Sequence, residues 1–117
     1  MRTIRLALVA AALCMAQGAP ASAACVVLAG TADGFDKETA VSRAQLALDD
    51  YIKQYKAENH LGAVTVKAMR AEPQPYWRGR VSENMMYHPD IVTANSYTVC
   101  WQGVISYVCT SGAQVCW

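Results

Sequence analysis

Cys25, Cys100, Cys109 and Cys116 are the residues of this chain with the best-defined chemistry. Structural zinc takes pairs of ligands from one tight turn, and redox catalysis takes C-x-x-C. The spacings here are 75, 9 and 7 residues, which suit neither. Four such cysteines read as two disulfides, with three possible connectivities. Ser111-Gly112 places a turn signal between Cys109 and Cys116, so that local bridge is expected, leaving Cys25 to meet Cys100. The other pairings stay open.

The remaining reactive side chains form no catalytic signature. His60 and His88 are the only imidazoles, and no Gly-x-Ser-x-Gly, HExxH, Walker or GxGxxG pattern accompanies them. A small secreted hydrolase using His60 or His88 is one alternative reading. Asp49-Asp50 is not a general acid/base pair, because neighbouring helical residues point about 100° apart. Met85 and Met86 precede His88, and soft thioethers with an imidazole suit copper, which gives a second alternative. Adjacent methionines also fill irregular gaps in a core, so no metal site and no cofactor are assigned.

Tyr76-Trp77-Arg78-Gly79-Arg80 is an aromatic–basic run, with Arg70 before it. Trp, Tyr and Arg anchor interfaces and stack on planar ligands. Tyr76, Trp77, Arg78 and Arg80 are therefore the expected binding residues for an unknown protein or small ligand.

The cysteines are read as disulfides because the chain opens with an export segment. Arg2 and Arg5 precede a short apolar run from Leu6 to Ala16, Gly18 and Pro20 break it, and Ala21-Ser22-Ala23 supplies small residues for cleavage. Residues 1–23 are thus expected to be a signal peptide and 24–117 a single domain. A lipoprotein reading of Cys25 is disfavoured by Ser22, where Leu is usual. The Ala-rich signal has a bacterial style, and the expected location is periplasmic or secreted. There disulfides persist. The apolar run is too short to span a bilayer of ~30 Å, and no other segment is comparable, so no membrane span is expected. Without Arg2 and Arg5, the nine acidic residues outnumber Lys and Arg by one. A near-neutral domain has no bulk field for nucleic acid.

A helix from Lys37 to about Asn59 is the firmest element. Val41, Ala44, Leu48, Tyr51, Ile52 and Tyr55 recur at helical steps, Asp36 is the expected N-cap, and the helix is expected to stop near Asn59-His60 with Gly62 as the break. Cys25 to Ala29, Ala63 to Arg70, Ile91 to Ala94, Ser96 to Trp101 and Val104 to Cys109 have strand character. Gly30 to Phe35 reads as loop, Tyr76 to Val81 as an edge strand or ordered loop, Ser82 to Asp90 as irregular, and Gln102-Gly103 as a hairpin turn or a bulge. The expected fold is α+β: one long helix packed on a small antiparallel sheet of about three to four strands, in β-α-β-β(-β) order.

The start from Val26 to Ala32, the helix with Ala40, Ala44 and Ala47, and the spacing Cys100, Cys109, Cys116 resemble the small uncharacterised exported proteins of proteobacteria. That resemblance implies no activity and carries over no functional residue. The expectation is an exported, non-catalytic interaction or ligand-binding module of the bacterial envelope.

Overall fold

The computed structural model describes residues 24–78, 81 and 84–117. The expected export segment and Arg80 lie outside the described residues, and of Tyr76 and Arg78 only the backbone is described. The elements are β1 (Cys25–Gly34), α1 (Lys37–Glu58), β2 (Thr65–Ala68), the single turn α2 (Pro75–Arg78), β3 (Met86–Tyr87), β4 (Ile91–Val92), β5 (Tyr97–Gln102) and β6 (Tyr107–Cys116). The α+β class is as expected. The antiparallel sheet has six strands rather than three or four.

β6 is the spine of that sheet. It pairs with β1 over all ten residues, and its other flank is shared end to end by β5 and β2. β3 and β4 lie along the far side of β5 as one interrupted strand. Met86 and Tyr87 face Gln102 and Trp101, whereas Ile91 and Val92 face Thr98 and Tyr97. Between these pairs His88, Pro89 and Asp90 stand against only Val99 and Cys100, which makes a β-bulge. Pro89 has no N–H to give a ladder, so it sits where pairing is broken. Two-residue pieces around a proline carry little strand pattern, which is why this stretch reads as irregular in part.

α1 forms where the apolar steps place it. Ala40, Ala44, Leu48 and Ile52 are buried on one face, and the Asp36 carboxylate accepts from Thr39 N at 2.7 Å to cap the N-terminus. The C-terminus is a Schellman closure: Leu61 N donates to Lys56 O at 2.9 Å and His60 N to Ala57 O at 3.3 Å. His60 takes the left-handed conformation there, with φ 54°. The helix thus ends at Asn59-His60 as expected, and the left-handed residue of the closure is His60 rather than Gly62.

The helix crosses the sheet over β1, and Gly30 sets its height. A Cβ at Gly30 would lie 2.7 Å from Ala44 O and closer still to Leu48 N. This corrects the loop expected at Gly30 to Phe35: the glycine marks a close backbone approach inside a ten-residue strand. On the opposite face the chain leaving β2 crosses Gly112, where a Cβ would lie 2.7 Å from Ala71 Cβ. Ser111-Gly112 is thus mid-strand, not a turn. Ser111 is fully buried and pairs with Thr98 Oγ1 at 2.6 Å; Thr31 and Thr110 pair at 2.9 Å on the outer face. Such pairing satisfies hydroxyls that would otherwise be costly to bury.

The same strand corrects the disulfide pairing. Cys109 and Cys116 are seven steps apart on an extended strand, about 23 Å, with side chains on opposite faces. The bridges are Cys25–Cys116 and Cys100–Cys109, each between directly opposed residues with Cα atoms 4.1 Å apart. Cys100–Cys109 lies under the helix beside Ala40 and Ala44. The larger aliphatic cluster, Leu28, Leu48, Ile52, Ala113 and Val115, lies under the second half of the helix. No helix among the described residues is long and apolar enough to cross a membrane.

Candidate binding site at the hairpin end

β5 and β6 are joined by the four residues 103–106, closed by a bond from Gly103 N to Ser106 O at 2.8 Å. Val104 and Ile105 occupy the tip of this turn. The strand expected to begin at Val104 begins at Tyr107 instead, because the hairpin must reverse first. Gly34 pairs with Tyr107, so Phe35, the first residue beyond β1, emerges at the same end of the sheet. Phe35 is 88 % exposed, Val104 103 % and Ile105 79 %. Isolated exposed apolar residues are ordinary, but three on adjacent turns form a feature.

A cavity of about 560 Å³ opens beside that tip on the outer face of the sheet. Trp77, Met85, Met86, Val104 and Ile105 line it, with Asp33 and Val108 at the ends of β1 and β6. The volume is in the range of small-ligand and side-chain pockets. Trp77 is half-buried, carried there by α2 after Gln74 anchors the preceding segment: Gln74 Nε2 donates to Ala29 O at 3.0 Å. Of the expected binding residues the structure therefore brings Trp77 to the cavity. The side chains of Tyr76, Arg78 and Arg80 are not described.

Met85 and Met86 also line the cavity, whereas His88 is outside its lining and meets it through Gln102. Its Nε2 lies 2.8 Å from Gln102 Oε1 and its ring stands edge-on to Tyr107 at 5.2 Å. His60 lies exposed at the helix terminus, far along the chain from both. The structure does not bring the two histidines together. Among the described residues no three His, Cys, Asp or Glu side chains converge as a metal site.

A second cluster on the outer face had no clear sequence signal. The Asp90 carboxylate accepts from the hydroxyls of Tyr87 and Tyr97, the latter at 2.6 Å, and lies 3.4 Å from Arg70 Nη1. The Arg70 guanidinium stands 5.6 Å over the Tyr87 ring, which meets Trp101 edge-on at 6.0 Å. The two phenol bonds, aided by Arg70, hold the Asp90 carboxyl below the usual carboxylate range. Burial and the bond to Asp90 push the Tyr87 hydroxyl up. These groups satisfy one another and tie the Pro89 bulge to β5, so their arrangement is that of a clamp. Arg70 is 17 or more residues from Tyr87, Asp90 and Tyr97 in the chain, and only the fold brings it to them.

The tip residues were missed because Val104 and Ile105 have the composition of a strand. The available signal was Gln102-Gly103 before them and Ser106 after, a turn-forming frame around two apolar residues. Comparisons with protein-family models, curated proteins and solved structures find no match for this chain.

Proposed function

We propose that this protein is an exported, non-catalytic binding module of the bacterial envelope whose contact surface is the hairpin end of the sheet. The observation that carries the reading is the near-complete exposure of Phe35, Val104 and Ile105 around a cavity that Trp77 lines. Apolar side chains held in water on a short, closed turn gain free energy when a partner covers them. Aromatic and Met side chains in the cavity offer the desolvated centre that protein interfaces concentrate their energy in. Tyr76, Arg78 and Arg80 adjoin Trp77 in sequence and remain proposed contact residues on that ground alone. Two disulfides in so small a domain support an oxidising compartment.

A photo-crosslinking amino acid at Val104, compared with one at Leu46, tests this in intact cells. Leu46 is also exposed, at 60 %, but lies on the solvent side of α1. The expected result is a discrete protein adduct from position 104 and none from position 46. Equal or absent adducts at the two positions would refute the assignment of the hairpin end.

A further inference from the structure

We propose that the cavity at the hairpin end receives a lysine or arginine side chain of a partner protein, with Asp33 as its counter-charge. The inference rests on the reading of this end as a docking surface and adds the chemistry of what docks.

Asp33 is the penultimate residue of β1 and pairs with Val108, so both side chains are on the outer face, toward the cavity. It is half-buried. Its carboxylate has no hydrogen bond or ion pair among the described residues. The contrast with its neighbours is clear: Asp36 bonds Thr39 twice, and Asp90 has two phenols and a guanidinium. Arg43, the cation beside Asp33 in the adjoining cavity, donates instead to the Asp33 main-chain oxygen at 3.1 Å.

An unpaired carboxylate beside a mixed wall of Met, Val, Ile and Trp side chains with Asn84, Gln102 and Ser106 favours a cation with an apolar stem. The methylene groups of Lys or Arg can lie along Met85, Met86, Val104 and Ile105 while the charged head meets Asp33 and the Trp77 ring. An anionic side chain is opposed by Asp33, the one charged side chain in the described lining of the cavity. The occupant is assigned to a protein rather than a free amine because the exposed apolar rim of Phe35, Val104 and Ile105 extends past the cavity mouth. A small amine would leave that rim in water, whereas a partner's surface around an inserted side chain would cover it.

The test is a titration of the isotopically labelled protein, followed at the backbone amides, with four capped peptides. They have the form Val-Leu-X-Leu-Val, with X as Arg, Lys, Gln or Glu. The expected result is movement of the Asp33, Gly103 and Ser106 amides by the Arg and Lys peptides, with affinity about tenfold above the Gln peptide. Asp33→Asn should remove that advantage without changing the melting temperature, since the carboxylate supports no contact. Equal binding of the Arg and Gln peptides at these amides would overturn the cation assignment while leaving the docking surface in place. No movement with any peptide would overturn the cation assignment, and the crosslinking at Val104 would then judge the surface by itself.

Discussion

The two ends of the sheet are held by different means. At the end near Cys25 and Cys116, Leu28, Leu48, Ile52 and Val115 pack under the helix, and Tyr55 meets Trp117 at 5.8 Å. At the hairpin end the helix rests on Ala40, Ala44 and the Cys100–Cys109 bridge, while the large apolar residues Phe35, Val104 and Ile105 face water. Small residues bury little area, so this end gains less from hydrophobic burial. Each end carries a cystine, so the two differ in how much apolar side chain is packed beside it. The difference teaches that the apolar residues missing from the core at one end are the ones displayed outside it.

The largest expected effects come from the bridges. Converting Cys25 and Cys116 to Ser should cost about 4–5 kcal/mol, because the bridge joins residues 91 apart in the chain. The corresponding change at Cys100 and Cys109, separated by 9 residues, should cost about 2–3 kcal/mol on the same chain-entropy argument. Urea unfolding of both pairs measures the ranking. A reversal would mean that the small-residue end depends on its cystine for packing as well as for closure, which sharpens the contrast.

A smaller, pH-dependent effect lies in the clamp beside the hairpin end. Asp90 has a depressed carboxyl pKa in the folded protein, from Tyr87 and Tyr97 first and Arg70 after them. Its contribution to stability is therefore present above the unfolded value of about 4 and is lost as pH falls through the lower folded one. Asp90→Asn should be less stable than wild type at neutral pH, and the gap should narrow below about pH 4. Melting curves of both proteins across that range check the sign; a gap that stays constant with pH would show that the carboxylate's charge is irrelevant to the clamp.

The smallest effect belongs to the aliphatic end. His60→Gly should raise stability by about 0.5–1 kcal/mol, since glycine adopts the left-handed conformation at the helix terminus without a Cβ penalty. A loss instead, read by the same thermal melts, would show that the imidazole itself contributes to closing this end.

The helix was legible because its signals agree: a capping Asp36, steps of three and four from Ala40 to Ile52, and no internal Gly or Pro. The α+β class followed from one such helix among strands. The strand details were less legible for a physical reason. Gly30 and Gly112 were read as loop and turn, but they are demanded by backbone that passes over them, and nothing local in the chain announces a distant helix or crossing segment. The cystine pairing failed with them, since it assumed a turn at Ser111-Gly112. Of the residues lining the cavity, Trp77 stood out in the sequence for its aromatic–basic setting, whereas Val104, Ile105 and Asp33 did not. Their meeting depends on the register of β1 with β6, which only the folded sheet defines.

The Cys25–Cys116 bridge fastens the outer ends of β1 and β6 at one pole, and the bare turns stand at the other, roughly 30 Å away along ten extended residues. A tether or fusion attached beside either of these cysteines would leave the exposed turns at the far pole, away from the attachment. Immobilised beside that bridge, the chain would keep Phe35, Val104 and Ile105 at the free pole, which is the geometry a binding test of the proposed surface needs.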